Sequence, residues 1–141
     1  MILAVLQRSC GLASHQHDVY AATVGGAKLT DPAADLATAI ALASAATDIV
    51  VPTDMVALGE VGLAGEVRRV GEVSNRLREA ARLGFRHALV PADPSPAPAA
   101  PGTTDGLRVV AVHDVNEALA VLGLTQHRSR TGPEFSGPRS A

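Results

Sequence analysis

Between Gly59 and Phe85 the sequence reads GEVGLAGEVRRVGEVSNRLREAARLGF, two near-echoes, GEVGLAGEV and RRVGEV, that run straight into a basic helical pattern. Apolar arms on either side of GLAG read as a tight hairpin of fixed geometry, with Met55–Val61 as the outgoing strand and Glu66–Val70 as the returning one. Val73, Leu77, Ala80, Ala81 and Gly84 then recur at i, i+4 and i+7, which marks one face of a helix. A hairpin that feeds directly into an amphipathic helix excludes an all-helical chain. It also demands a sheet for that helix to cover.

The flanking sequence supplies the rest of the architecture. MILAVLQRSC reads as a short amphipathic helix with Leu3 and Leu6 on one side. After Gly11 and a polar turn, DVYAATVGG is rich in β-formers and reads as a first strand, with Ala27–Thr30 as a short second one. Asp31 followed by Pro32 is a helix opening, an N-cap with proline at the first helical position. The helix that follows carries Leu36, Ile40 and Ala43 with alanine nearly all round, a pattern for burial on several sides. His87–Val90 is a short strand stopped by Pro91, and the proline-rich stretch 91–106 reads as an extended surface loop. Leu107–Val112 is a last strand, and Asp114 caps a last helix.

The order helix, two strands, helix, hairpin, helix, strand, strand, helix makes the chain α/β (α+β) with a mixed sheet. Residues 1–124 form one domain, and the polar stretch 125–141 reads as a disordered tail. Aromatic residues are 2% of the chain and hydrophobic residues 47%, so alanine, valine and leucine must fill the core. Few rings are left for stacking on bases, which favours backbone contacts in any nucleic-acid complex. A single cysteine, Cys10, excludes an intrachain disulfide. No apolar run approaches the roughly 20 residues that span a bilayer, and the start lacks the basic segment of a signal peptide. A cytoplasmic location is the expectation.

The net charge of −2 excludes a wholly basic chain, but six of the twelve lysine and arginine residues cluster in one stretch. These are Arg68, Arg69, Arg76, Arg78, Arg82 and Arg86, with Arg78 and Arg82 one turn apart on a helix. Arginine pairs bidentately with phosphate and stays charged. A phosphate-tracking surface and an ordinary solvated helix face both fit that pattern, and a Glu72–Arg76 pair at i, i+4 is expected within it. Lys28, the only lysine, is either a cation on the same binding face or a solvated strand end. His15, His17 and Asp18 could begin a metal site but lack further ligands at a recognisable spacing, so an exposed turn is favoured. Glu60 and Glu66 flank the hairpin turn and are expected to face solvent or to pair with Arg68. His87 and His113 read as structural, and Asp35 as a favourable charge near a helix start.

The segments VGGAKLT, DPAADLATAIALAS and GEVGLAGEVRRVGEVSNRLREAARLGFRHALVP together closely resemble the C-terminal domain of the RadA (Sms) family of bacterial DNA repair proteins. That domain is similar to the proteolytic domain of Lon protease. The resemblance covers about Met1 to Gly123. It implies the fold of the second domain of ribosomal protein S5, a Lon-protease-like sandwich of a mixed sheet with packed helices. It also implies a homo-hexameric ring, contact with branched or single-stranded DNA, and promotion of branch migration in homologous recombination, with a recombinase filament as a further partner. The family's ATP, magnesium and zinc sites belong to a RecA-like ATPase and a four-cysteine motif. This sequence has neither CxxC nor GxxxxGK[ST], so no cofactor is expected in this chain.

A Lon-type peptidase needs a serine nucleophile and a partly desolvated lysine as its base. Ungapped matching of the hairpins puts Ala33 at the nucleophile position and Ser74 at the lysine position. A methyl group offers no nucleophile and a hydroxyl is a poor base, so the resemblance implies a non-catalytic domain. Two alternatives remain at this level: a Ser-Lys peptidase rearranged around Lys28 and Ser74, and a protein-interaction scaffold that binds no DNA.

Overall fold

Among the described residues the larger sheet joins β-strands from three separate stretches of sequence, around residues 55, 87 and 103–112. A computed structural model describes residues 1–11, 18–26, 28–92 and 103–125. Its elements are α1 (Ile2–Cys10), α2 (Asp35–Thr47), β1 (Met55–Ala57), β2 (Glu60–Val61), β3 (Val67–Arg68), α3 (Val73–Arg82), β4 (His87–Pro91), β5 (Thr103–Thr104), β6 (Leu107–Val112) and α4 (Val115–Val121). The four-stranded sheet has the order β1-β4-β6-β5; β1, β4 and β6 run parallel, and β5 pairs antiparallel with β6. The chain is thus α/β with a mixed sheet.

Strand alternation divides the core into two layers. Ala88 and Val90 of β4 and Leu107 and Val109 of β6 pack under Leu77 and Ala80 of α3. On the opposite face Leu89 and Val112 meet Val5 and Leu6 of α1, Leu36, Ala39 and Ile40 of α2, and Ala118 and Leu119 of α4. Leu36, Leu107 and Leu119 are almost wholly buried. Each contributes about 1.5–3 kcal/mol through removal of apolar surface from water. The buried stripe of α1 runs through Val5 and Leu6, with Ile2 and Cys10 packed beside it. Leu3, expected on that stripe, is exposed because it lies a full helical step off the α2 contact.

The reading Met55–Val61 resolves into two strands that serve different sheets. Gly59 breaks the run: its N–H donates to the Ala33 carbonyl and its carbonyl accepts from the Leu36 N–H, both at 3.0 Å. β1 therefore joins the large sheet, while β2 turns away to form a two-stranded ribbon with β3. The returning strand is shorter than Glu66–Val70, since only Val67 and Arg68 pair with β2. The GLAG turn closes as expected, with the Gly62 N–H on the Glu66 carbonyl at 2.9 Å and Gly65 at φ 91°.

That ribbon is held at both ends. The Val61 N–H donates to Asp35 Oδ2 at 3.2 Å, which ties β2 to the first turn of α2. The Val67 N–H donates to the His113 carbonyl at 2.8 Å, and the Val115 N–H to the Gly65 carbonyl at 2.9 Å. The hairpin is thereby bonded to the junction of β6 and α4.

The strand readings of 18–30 and the loop reading of 91–106 need correction. Residues 18–26 and 28–30 form no strand; they are exposed, irregular backbone with one 3-10 turn at Val24–Gly26. β-propensity acts through cross-strand partners, and no described strand pairs with this segment. The stretch 91–106 is not wholly a loop, because Pro91 ends β4 and Thr103–Thr104 form β5; residues 93–102 lie outside the described residues. Residues 126–141 of the expected tail also lie outside them.

Candidate nucleic-acid interface

The arginine-bearing helix α3 starts abruptly after the ribbon. Glu72 precedes it at φ 62°, a left-handed turn that reverses the chain from β3 into the helix. Its carboxylate does not pair with Arg76, contrary to the expected i, i+4 contact; it accepts from the Asn75 side-chain amide instead. Arg76 turns the other way, donating to the Gly71 carbonyl at 3.0 Å and reaching Asp31 Oδ2 at 2.7 Å. That bridge ties α3 to the entrance of α2 across 45 positions of sequence, which no local spacing could reveal.

The expected cations differ sharply in what holds them. Arg68 donates through Nε to Glu66 Oε1 at 3.0 Å and lies 3.8 Å from Glu60, so both hairpin glutamates face it as anticipated. Its hydrogen bond to Glu66 holds the Glu66 carboxyl below its ordinary range and raises the guanidinium in turn. Arg82 makes a two-pronged contact with Glu79, at 2.9 and 2.5 Å, with the same paired shifts. Arg78 donates to the neutral Asn75 side chain at 3.1 Å. Arg69 lines an open recess of about 350 Å³ formed by residues 69–75. Arg86, one residue before β4, is exposed and makes no side-chain bond among the described residues. Lys28 is exposed in the irregular segment between α1 and α2.

All of these groups are at least partly in water, where an exposed ion pair contributes about 0–1 kcal/mol. Arg68, Arg76 and Arg82 therefore shape the surface without stabilising the fold much. Their carboxylate partners offset their charge, so the helix face is less cationic than its sequence suggests.

Ala33 is buried in a 3-10 turn (Pro32–Ala34) capped by Asp31, whose Oδ1 accepts from the Ala33 N–H at 2.9 Å. That bond, with Arg76 second, depresses the Asp31 carboxyl. Ser74 is exposed in the first turn of α3, within the recess of residues 69–75. The Asp31–Arg76 bridge brings the two segments together. Asp114 caps α4 as expected, accepting from the Glu117 N–H at 2.8 Å. Glu117 in turn takes the His113 N–H at 2.7 Å and lies 2.9 Å from its Nδ1. His87 sits 3.5 Å from Asp54, so both histidines are engaged with carboxylates at strand ends. His15 and His17 lie outside the described residues, and among the described residues no group of three His, Cys, Asp or Glu could hold a metal ion. No described helix is long and apolar enough to cross a membrane. Sequence reasoning passed over Arg108 in β6, an isolated charge in an apolar strand with no cluster to mark it.

The family described as subunit ChlI of Mg-chelatase matches residues 23–94. The chain is 56% identical to the DNA repair protein RadA of Mycobacterium tuberculosis over 141 aligned residues, covering 97% of the chain and 28% of that protein. It is 50% identical to the DNA repair protein RadA of Mycolicibacterium smegmatis over 122 residues, 86% of the chain and 25% of the relative. The DNA repair protein RadA of Escherichia coli is 43% identical over 121 residues, with 86% and 25% covered. The chain thus spans about a quarter of the length of the curated relatives it matches.

Proposed function

This chain belongs to the family described as subunit ChlI of Mg-chelatase and fits the C-terminal region of the DNA repair protein RadA, and we propose that it serves there as a non-catalytic domain for subunit assembly and DNA binding. One observation carries the reading. The surface keeps exposed arginines without carboxylate partners among the described residues, Arg78 and Arg86, on a fold whose matched dyad positions hold the buried methyl of Ala33 and the exposed hydroxyl of Ser74. A peptidase needs a desolvated base beside a nucleophile; neither residue supplies that chemistry. Lys28 is exposed in the irregular backbone between α1 and α2.

In this account the domain contributes sequence-independent affinity through phosphate contacts. Assembly into a homo-hexameric ring multiplies a modest site into a polyvalent one, because every bound copy raises the effective concentration for the next. The parent protein couples that grip to ATP hydrolysis in other domains, where ATP, magnesium and zinc are held. It promotes branch migration of recombination intermediates in the cytoplasm, in contact with a recombinase filament.

The test is a titration of labelled forked DNA and plain duplex with the chain across a salt series, beside an assay with an unfolded protein substrate. Salt-sensitive binding without proteolysis supports the reading. Proteolysis lost on Lys28→Ala overturns it in favour of the rearranged peptidase, and absence of any DNA binding leaves an interaction scaffold.

A further inference from the structure

We infer that the phosphate-contact surface lies at the amino end of the parallel sheet, and that its principal cations are Arg86 and Arg108 rather than the carboxylate-paired Arg68, Arg76 and Arg82. The inference rests on the DNA-binding reading above. It moves the site and adds a residue, Arg108, to it.

Arg86 immediately precedes β4, and Arg108 is the second residue of β6. The register sets His87 opposite Arg108, and the Arg108 N–H donates to the Arg86 carbonyl at 2.8 Å. Neighbouring strands lie about 4.8 Å apart, so the Arg86 and Arg108 stems start one residue apart in register at the same end of the sheet. Alternation sorts them by face: Leu89 and Val112 belong to the layer beneath α1, α2 and α4, and Ala88 and Val109 to the layer beneath α3. Arg108 shares the first face with His87, whereas Arg86 falls on the α3 side. The two cations straddle the end of the sheet.

Both are exposed, and neither side chain makes an ion pair or hydrogen bond among the described residues. Three arginines of the hairpin and helix differ in having carboxylate partners, while Arg78 on α3, held by the neutral Asn75 side chain, does not. Arg68, Arg76 and Arg82 are held by Glu66, Asp31 and Glu79. Each must release its own carboxylate before it grips a phosphate, and that carboxylate then stays nearby to repel the phosphate. At the sheet end the nearby carboxylates are Asp54 and Asp105. The Asp54 backbone carbonyl accepts from the N–H groups of Arg86 and His87, and its side chain lies 3.5 Å from His87 Nδ1. Asp105 sits in the β5–β6 turn. Neither pairs with an arginine among the described residues. Two guanidiniums at the start of neighbouring strands, unpaired among the described residues, fit the successive phosphates of a nucleic-acid backbone, to which arginine donates bidentately.

The experiment compares four forms of the chain on labelled forked DNA: wild type, Arg86→Ala with Arg108→Ala, Arg68→Ala with Arg82→Ala, and Arg86→Lys with Arg108→Lys. Each phosphate contact adds about 0.9 to the slope of log affinity against log salt on duplex DNA. The Arg86/Arg108 alanine pair is expected to flatten that slope by about 1.8, while the Arg68/Arg82 pair changes it by less than about 0.5. The lysine pair keeps the charge and so keeps most of the slope. The location is overturned if wild type binds DNA and the Arg86/Arg108 alanine pair binds it equally well with the same slope. It is overturned also if the lysine pair loses as much slope as the alanine pair, since charge is then not the cause. A wild-type chain that binds no DNA removes the DNA reading itself, and this inference with it.

Discussion

Replacing Gly59 by alanine perturbs the point where the hairpin, the large sheet and the start of α2 converge. A Cβ at Gly59 would lie 2.5 Å from Val67 Cγ1 and about 3.5 Å from Leu36. Ordinary contacts begin near 3.4 Å, so something must move by about 1 Å. The glycine cannot move easily, because its N–H and carbonyl are both bonded, to Ala33 and Leu36 at 3.0 Å. Val67 is also fixed, by its N–H bond to the His113 carbonyl at 2.8 Å and by the stiff rotamer of a β-branched side chain. Overpacking of this kind costs about 1–3 kcal/mol. For a domain of this size 1 kcal/mol shifts the melting temperature by about 4 °C, so Gly59→Ala should melt about 4–12 °C lower in a thermal scan followed by circular dichroism. Gly71→Ala is the control: nothing lies within 4 Å of its added methyl, and the change should be neutral or stabilise by up to about 1 kcal/mol. Adding Val67→Ala to Gly59→Ala relieves the clash, so the double variant should lose less than the sum of the singles by at least about 0.5 kcal/mol. Equal melting of the two glycine variants, or strict additivity with Val67→Ala, refutes the steric argument.

Other perturbations test other links. Leu36→Ala removes a side chain of 0% exposure between α2 and the sheet; a loss of about 2–5 kcal/mol is expected in urea unfolding, and a loss under about 1 kcal/mol would place Leu36 outside the core. Amides of residues 18–22, 28 and 29, where Tyr20 is 90% exposed, should exchange with solvent far faster than those of β4 and β6, and protection as strong as theirs would contradict the lack of a strand partner for this segment among the described residues. The carboxyls of Asp31, Glu66, Glu79 and Glu117 are all depressed below their usual values in the fold, Asp31 and Glu117 first by backbone N–H bonds, Glu66 and Glu79 by arginine. Depressed folded values mean that their stabilisation is complete above the ordinary carboxylate range and is lost as pH falls through the lower folded values. The urea midpoint should therefore hold steady from about pH 7 to 5 and drop below about pH 4; a midpoint that rises on acidification would reverse the sign.

Much of this was legible in the chain because it depends on local chemistry. The caps Asp31 and Asp114, the period of Leu77 and Ala80, and the GLAG turn act within a few residues of themselves, so sequence reports them directly. The strand reading of Asp18–Thr30 failed because β-formers become a strand only against a partner, and no local signal reveals whether one is present. The run Met55–Val61 looked continuous because the close approach of Gly59 to Val67 and Leu36 is tertiary. β5 escaped notice since two threonines after a proline-rich stretch carry no period. The cationic site was half readable: clustering exposed the arginines, but Asp31, 45 positions away, decides that Arg76 is taken. Arg108 stood alone in the sequence and becomes Arg86's neighbour only once β4 and β6 pair in parallel.

The central claim is that this domain holds nucleic acid through phosphates and performs no chemistry of its own. Its most direct test is the dissociation constant of the wild-type chain for labelled forked DNA at 50 and 200 mM salt. Two phosphate contacts predict a slope near −1.8, hence binding about twelvefold weaker at the higher salt. Equal affinity at both concentrations, or no binding at either, contradicts the account.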